Sequence, residues 1–109
     1  MCGITGLWQT YHQPEKFQFQ LRQMIAVLQH RGPDSTGMAF GANWAMANAR
    51  LAIVDIAGGK QPIWNEDQSV VVVGNNEIYN APELRKELLQ CGHRFSTNAD
   101  TEVLVHGWE

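Results

Sequence analysis

The chain opens with MCGITGLW, residues 1–8, a short apolar and partly β-branched run that carries glycines at positions 3 and 6. This pattern predicts a buried strand whose backbone comes close to a neighbouring element. Cys2 follows the initiator methionine, so loss of Met1 would leave a thiol and a free α-amine on one residue. Such an amine can act as the general base for the thiol. A terminal cysteine is often incidental, so the rest of the chain has to supply the other parts of a site.

The composition excludes several classes of protein. The 109 residues are 44% hydrophobic with a formal net charge of −3, which fits one small domain with a modest core. There is no basic run that would bind nucleic acid, and there is neither an apolar run of roughly 20 residues nor a secretory signal. The two cysteines, Cys2 and Cys91, form no Cys-x-x-Cys pair, so a disulfide framework is not expected. We therefore expect a cytoplasmic protein with no nucleic-acid or membrane partner.

The sequence after the first strand shows helical periodicity. A loop is expected at residues 11–15, and the spacing of apolar side chains then predicts an amphipathic helix from Glu15 to Gln29. RGPDSTG, residues 31–37, is a polar turn rich in Gly and Pro, and its donors make it a candidate substrate-shaping loop as well as an ordinary one. Three strand-like runs follow, at residues 37–41, 44–48 and 50–56.

The second half of the chain contains a valine-rich run at residues 69–75. Such a run predicts a strand that is buried on both faces in the middle of a sheet. A helix is expected next, with Asn80 and Glu83 at capping-box spacing and Gly92 as its stop. Cys91 then lies at the end of this helix and is interpreted as a core or boundary thiol.

A last helix is predicted after residue 100. Asp100 is placed as its N-cap, and Val103, Leu104 and Trp108 are expected on its core-facing side. The pattern continues to Glu109 without a helix-stop signal. We therefore expect the chain to be part of a longer domain.

Arg50 is an informative residue because it leads an otherwise apolar run. A buried or half-buried guanidinium needs an anionic partner. A structural salt bridge would satisfy this need, and so would a ligand carboxylate held by the bidentate fork of arginine. The residues alone leave both interpretations open.

Six motifs spread over nearly the whole chain are MCGITGLW at 1–8, RGPDSTG at 31–37, ARLAIVD at 49–55, GGKQP at 58–62, EIYN at 77–80 and ADTEV at 99–103. In this order they resemble the class II glutamine amidotransferase family, and in particular its asparagine synthetase branch. Each motif alone is weak, but a chance match of the whole ordered set is very improbable.

The resemblance implies a reaction for the first residues of the chain. Cys2, freed by loss of Met1, would attack the γ-amide of L-glutamine while its own amine takes and returns protons. A glutamyl thioester and ammonia would form, and water would then release glutamate. The oxyanion would be held by the Asn75 side chain and by the following backbone N–H, that of Asn76.

The resemblance also implies how the free amino acid would be recognised. Arg50 would clamp the α-carboxylate of glutamine, with help from backbone groups near Ile53. Asp100, together with Glu77, would pair with the α-ammonium group. These opposite charges would make the site specific for a free amino acid.

Two neighbouring positions depart from the family pattern. Asn76 stands where the family has glycine, and Gly74 stands where a larger residue is usual. If position 76 needs a positive φ, asparagine would cost roughly 1 kcal/mol of strain. If its Cβ intrudes on the oxyanion, the rate would fall, and a shift of register that gives Asn76 the oxyanion role is a third alternative. Ala99 also replaces a common serine, with less consequence expected.

The fold implied by the resemblance is of the N-terminal nucleophile hydrolase type, an α+β four-layer αββα sandwich of two antiparallel sheets. Residues 1–109 are expected to form a partial, truncated amidotransferase domain, with the synthetase domain absent. That C-terminal synthetase domain is the implied partner and would use ATP and Mg²⁺, whereas the glutaminase step is expected to need no cofactor or metal. A homodimer is also compatible with the resemblance.

Three other interpretations remain open from the sequence. The chain could be a non-catalytic glutamine-binding or interaction fragment in which Asn76 and truncation abolish turnover. It could bind a metal through Cys2, Cys91 and the four histidines, although their spacing matches no established zinc pattern. It could also act on an amide other than glutamine.

Overall fold

The computed structural model describes residues 1–9, 14–53 and 55–109. The loop predicted at residues 11–15 falls largely outside this description. Within the described residues, the strands are β1 (Gly3–Trp8), β2 (Ser35–Phe40), β3 (Trp44–Arg50), β4 (Ile63–Trp64) and β5 (Val71–Val72). The helices are α1 (Pro14–Ala26), α2 (Ala81–Gln90) and α3 (Glu102–Trp108).

The first sheet is antiparallel, with β3 in the centre between β1 and β2. Alternate residues of a strand point to the same face, and on β3 these are the buried alanines 45, 47 and 49. Leu21 and Ile25 of α1 pack against the alanines in one apolar cluster. The small side chains let α1 lie close to the sheet and cover this face.

β1 is a half-buried edge strand, which corrects the prediction of a fully buried one. Among the described residues it pairs only with β3, and Ile4 and Trp8 are 48% and 65% exposed. The predicted close approach of its backbone is confirmed at Gly3. A Cβ at Gly3 would lie 2.9 Å from the Cβ of Leu28, so a side chain there would push the turn after α1 away.

The predicted strand at residues 50–56 is wrong, because β3 ends at Arg50 and the chain then bends back. The Arg50 guanidinium donates to the carbonyl oxygens of Asp55 and Ile56 at 2.6 and 3.1 Å. Asp55 has a φ of 48°, which no strand tolerates. The described residues of this segment, 50–53, 55 and 56, therefore form a loop around the guanidinium. The strands predicted at 37–41 and 44–48 are present, with ends shifted to Ser35 and Arg50.

The valine run forms only the two-residue strand β5, which pairs with β4 in a second antiparallel sheet. Val71 and Val72 are half-buried, so the prediction of a strand buried on both faces is wrong. In the described part of the chain β5 has β4 as its one sheet neighbour, and α3 packs on this sheet. Ile63 and Val105 belong to the resulting core.

Two contacts join the sheets. Asn48 of β3 alternates with the alanines that face α1, so it points to the opposite face, where its Nδ2 donates to the Gly74 carbonyl at 3.4 Å. Gly37 of β2 lies so close to Gln61 that a Cβ there would be 1.7 Å from the Gln61 carbonyl oxygen. The predicted α+β class with antiparallel sheets is thus confirmed, and the order helix, sheet, sheet, helix is consistent with the αββα sandwich.

Helix α1 ends at Ala26, three residues before the predicted end. Helix α2 ends at Gln90 with Cys91 as its C-cap, and Gly92, the predicted helix stop, follows with a φ of 96°. The predicted capping box is wrong, because Asn80 is the N-cap without a side-chain hydrogen bond. Cys91 is exposed at the end of this helix, so of its two interpretations, core or boundary thiol, the core one is wrong. None of the described helices combines the length and apolarity needed to cross a bilayer.

Helix α3 differs from its prediction at both ends. Thr101 is the N-cap in place of Asp100. Val103 is buried as expected, but Leu104 and Trp108 are 43% and 81% exposed. Both line an apolar groove between α2 and α3 instead of the core. Helical spacing identified the apolar side of α3 but not whether another element covers it.

Glu102 is a buried carboxylate in the first turn of α3. It accepts hydrogen bonds from the backbone N–H groups of Ser96 and Thr97, each at 2.7 Å, and lies 3.1 Å from His106 Nε2. Burial acts to raise the pKa of the Glu102 carboxyl, but the hydrogen bonds from Thr97, Ser96 and His106 outweigh it and hold the pKa below its ordinary value. Glu102 therefore anchors the segment that leads into α3.

Replacing Glu102 by Gln should lower the free energy of unfolding by about 2–4 kcal/mol, because the amide nitrogen would face donors that need an acceptor. Urea denaturation at pH 7 measures this change, and Glu83→Gln at an exposed site on α2 is the matched control with little expected effect. Since the folded pKa of Glu102 lies below the ordinary 4.5, its stabilisation is present above pH 4.5 and is lost as the pH falls through the folded value. Equal stability of the two variants at pH 7 would contradict this role.

Candidate active site

One cavity of about 380 Å³ gathers residues from the N-terminus, the end of β3 and the segments 74–77 and 99–101. Its volume is at the lower end of the range of roughly 300–1,000 Å³ that is usual for ligand pockets. The seven site residues predicted from the sequence all line it, namely Cys2, Arg50, Ile53, Asn75, Asn76, Glu77 and Asp100. Residues that are far apart in the sequence thus meet at one concave surface.

Cys2 is positioned by the first sheet. The pairing of Gly3 with Ala49 places it beside the end of β3. The Leu51 backbone N–H donates to Cys2 Sγ at 3.3 Å, and the Arg31 Nε donates to the Cys2 carbonyl oxygen at 3.2 Å. The half-buried thiol is therefore held at the cavity wall.

The 31–37 turn supports this arrangement from behind. Within the described residues none of its members lines the cavity, so the turn acts on the site only through the residues that it holds in place. Besides the contact of Arg31, the Asp34 carboxylate accepts from the Ala52 N–H at 2.7 Å. A Cβ at Gly32 would lie 1.9 Å from the Ala49 carbonyl oxygen, so this turn must pack directly on β3.

Arg50 is 5% exposed and lines the cavity. Its guanidinium is held in place by the two backbone carbonyl groups to which it donates. Gly59 lies next to it, and a Cβ there would be 3.0 Å from Nη2. The guanidinium thus has a structural role in holding the 55–56 loop and a face toward the cavity. Ile53 lies at the rim with its side chain 75% exposed.

Asn75 presents an exposed side chain to the cavity. The residue before it, Gly74, is fixed by hydrogen bonds at both its N–H and its carbonyl group. The Gly74 N–H donates to Gln61 Oε1 at 2.6 Å, and Gln61 Nε2 donates back to the Gly74 carbonyl at 3.1 Å. The Asn75 amide is thus delivered from a fixed backbone position.

Asn76 does not adopt the strained backbone that the sequence suggested, since the described non-glycine residues with positive φ are Asp55 and Gln68. Its Nδ2 donates to Thr101 Oγ1 at 3.1 Å. Its Oδ1 fills the space above Gly74, where a Cβ would lie 2.2 Å away. The two departures from the family pattern therefore lie in contact, because the Asn76 side chain in this conformation occupies the place that a Cβ at position 74 would need.

Asp100 contributes a fixed carboxylate to the cavity wall. Its Oδ2 accepts from the Ile78 N–H at 2.7 Å and its Oδ1 from the Thr101 N–H at 2.9 Å. These bonds explain why Asp100 does not cap α3 as predicted. Glu77 lines the same cavity with an exposed side chain. Asp100 and Glu77 make this side of the cavity acidic, and Arg50 carries the opposite charge.

Sequence reasoning gave no role to Gln61, Asn48 or Thr101, which hold the 74–76 segment in place. Gln61 was part of a recognised motif, but its partner lies 13 residues away, and no local pattern reports such a pairing. The metal set of Cys2, Cys91 and the histidines is not assembled in the described residues, since Cys91 lines the groove at α2 and α3. His12 lies outside the described residues.

Comparisons with known proteins show the family to which the chain belongs. A family model for the glutamine amidotransferase domain matches residues 1–109. The chain is similar over its full length to an asparagine synthetase [glutamine-hydrolyzing] of Sandersonia aurantiaca, with 40% identity covering 20% of that protein. It is 39% identical to asparagine synthetase [glutamine-hydrolyzing] 1 of Arabidopsis thaliana, covering 18% of it, and 36% identical to a probable asparagine synthetase [glutamine-hydrolyzing] of Dictyostelium discoideum, covering 20%. The chain thus spans about a fifth of the length of these relatives.

The coupling between Gly74 and Asn76 can be measured by a double-mutant cycle. Gly74→Ala should destabilise the protein, because the new Cβ displaces the Asn76 amide from Thr101. Adding Asn76→Gly should remove the clash, so we expect an interaction energy of about 1 kcal/mol or more by chemical denaturation. Gly107→Ala is the matched control, since a Cβ there meets no atom within 4 Å. Additive effects of the two substitutions would show that the side chain does not depend on the glycine.

Proposed function

Because the chain belongs to the glutamine amidotransferase domain family, we propose that its cavity hydrolyses L-glutamine to glutamate and ammonia through a thioester on Cys2. The observation that carries this proposal is the meeting of Cys2, Arg50, Asn75 and Asp100 at one cavity. These residues supply a nucleophile, a cation, an amide donor and an anion. A free amino acid with a side-chain amide has the complementary groups.

The proposed reaction begins with removal of Met1, which puts the α-amine on Cys2. The thiol sulfur then bonds to the amide carbonyl carbon of glutamine, and the thiol proton passes to the α-amine. The carbon–nitrogen bond breaks as the amine returns this proton to the leaving nitrogen, which departs as ammonia. Water next adds to the thioester carbonyl carbon. The carbon–sulfur bond breaks, so glutamate leaves and a proton from the water restores the Cys2 thiol.

The charge that develops on the carbonyl oxygen needs donors fixed before the reaction. The Asn75 side chain and the Asn76 backbone N–H would supply them. Both follow Gly74, which Gln61 holds on both sides. The Asn76 side chain already bonds Thr101, which favours Asn75 over Asn76 as the side-chain donor.

Substrate recognition would use the two opposite charges of the cavity. Arg50 would bind the α-carboxylate, with backbone groups near Ile53 alongside. Asp100 and the exposed Glu77 would attract the α-ammonium. Because Arg50 and Asp100 are held by backbone groups, little ordering would be needed on binding.

The ammonia would serve a second reaction elsewhere in the protein. The similar proteins are named glutamine-hydrolysing asparagine synthetases and are about five times longer than this chain. We therefore propose a C-terminal synthetase domain as the partner, with aspartate as the acceptor. ATP and Mg²⁺ would be used there and not in the glutamine step. A cytoplasmic location and a homodimer belong to the same proposal, and sedimentation of the purified protein tests the latter.

Replacing Cys2 by Ser should lower ammonia release from glutamine by on the order of 10³ or more, because the nucleophile is lost. Cys91→Ser, at an exposed thiol outside the cavity, is the matched control and should retain activity. Mass spectrometry of the active protein should show an N-terminus at Cys2. Ammonia release by protein that retains Met1 would refute the proposed base, and no release after its removal would favour the non-catalytic alternative.

The roles of Arg50 and Asp100 can be separated with two substrate analogues. 4-Aminobutanamide lacks the α-carboxylate, and 4-carbamoylbutanoate lacks the α-ammonium group. We expect Arg50→Gln to abolish the preference for glutamine over the first analogue, and Asp100→Asn to abolish the preference over the second. Each preference should be about 10² in kcat/KM in the unmodified protein, since losing one partner of a buried charge pair costs about 2–5 kcal/mol. Both preferences surviving in both variants would refute these assignments and point to another amide substrate.

A further inference from the structure

A second group of chemically active side chains lies outside the cavity. Glu66 follows β4, His93 follows α2, and His106 and Glu109 come from the end of α3. One donor atom from each of these four residues lies within 4.8 Å of every other. None of them lines the cavity that contains Cys2.

The spacing of the four donor atoms is close to that of a metal site. Glu66 Oε1 is 3.2 Å from both His93 Nδ1 and His106 Nδ1. Glu109 Oε2 is 3.3 Å from His93 Nδ1 and 3.9 Å from His106 Nδ1. In a tetrahedral site with bonds of about 2.0–2.1 Å, ligand atoms are separated by about 3.3–3.4 Å. Small side-chain shifts would therefore bring all four atoms to bonding distance around one ion.

His106 provides an independent indication of a cation. It is 1% exposed, and its Nδ1 is a buried atom without a hydrogen-bond partner. Its other nitrogen, Nε2, faces Glu102 Oε1 at 3.1 Å, and this oxygen already accepts from the Ser96 N–H. Nε2 must therefore carry the proton, which leaves a lone pair on Nδ1 in the neutral ring.

Two carboxylates lie close to this nitrogen without forming a hydrogen bond to it. Glu66 Oε1 is 3.2 Å and Glu109 Oε2 is 3.9 Å from His106 Nδ1. Acceptor atoms this close to a buried nitrogen repel its lone pair unless a positive charge lies between them. A metal ion among the four atoms would meet this need, and a second proton on His106 is the alternative.

The groups that contact His106 and Glu66 are arranged like the outer shell of a metal site. A histidine ligand usually donates its second ring N–H to a carboxylate, which fixes the tautomer and the ring orientation. Glu102 occupies this position relative to His106. The Arg94 backbone N–H donates to Glu66 Oε1 at 2.7 Å and orients that carboxylate in turn.

We propose that Glu66, His93, His106 and Glu109 bind one Zn²⁺ ion. Two imidazole and two carboxylate ligands suit a tetrahedral zinc site, and four protein ligands leave no open position, as in structural sites. The ion would join the turn after β4 and the segment after α2 to α3. Since Thr101, the N-cap of α3, bonds Asn76, the ion would stabilise the helix next to the cavity without taking part in amide hydrolysis.

Zinc binding to the purified, chelator-treated protein tests the proposal by isothermal titration calorimetry with Zn²⁺ alone. We expect one ion per chain, a Kd of about 1 μM or tighter, and a rise in Tm. His93→Gln and Glu109→Gln should each weaken binding by about 100-fold or more. Both side chains are partly exposed, so these variants should fold even if His106→Gln does not. His30→Gln, at an exposed histidine outside the cluster, is the matched control and should bind as the unmodified protein does.

Co²⁺ supplies a second readout, because a tetrahedral site gives it intense visible absorption. This absorption should be present in the unmodified protein and in His30→Gln, and absent in His93→Gln. Unchanged Zn²⁺ affinity in His93→Gln and Glu109→Gln would overturn the proposal. Failure of the unmodified protein to bind Zn²⁺ would also overturn it.

Discussion

The double hydrogen bond between the Gln61 amide and the peptide groups of Gly74 is the contact on which the cavity depends. Gly74 also accepts from Asn48 of the central strand β3, and Gln61 packs directly on Gly37 of β2. The first sheet carries Cys2 and Arg50, whereas the second sheet leads into the segment with Asn75. These contacts therefore set the distance between Cys2 and Asn75, the proposed nucleophile and oxyanion donor. A misplacement of about 1 Å between reacting groups can cost on the order of 10² in rate.

The charged groups of the cavity are also fixed by the backbone. Arg50 donates to two carbonyls of the loop that replaces the expected strand, and Asp100 accepts from two N–H groups. A cation and an anion that are held in this way would act as a preorganised frame for the proposed zwitterionic substrate. Thr101 connects this frame to α3, whose other end carries the histidine and glutamate cluster. The geometry of the cavity and the anchoring of α3 are thus parts of one structure.

The sequence predicted the features that follow from local periodicity and from recognised motifs. The first strand, the three helices, the antiparallel α+β class and the seven cavity residues are in this group. Prediction from the sequence failed where contacts between residues that are distant in the chain decide the local structure. Residues 50–56 have the composition of a strand, but the hydrogen bonds from the Arg50 guanidinium to the backbone of Asp55 and Ile56 hold the chain in a loop. The valine run forms a strand only where β4 pairs with it. The exposure of Trp108 and the pairing of Gln61 with Gly74 likewise depend on contacts that no period of 2 or 3.6 residues encodes.

The central claim is that Cys2 forms a covalent bond to the substrate at the cavity where Arg50, Asn75 and Asp100 meet. Mass spectrometry of protein that is mixed with isotopically labelled glutamine and quenched in acid tests it most directly. The account predicts a labelled glutamyl group, sensitive to hydroxylamine, on an N-terminal peptide that begins at Cys2. Ammonia release with no label on this peptide during turnover, or with the label on another residue, would contradict it.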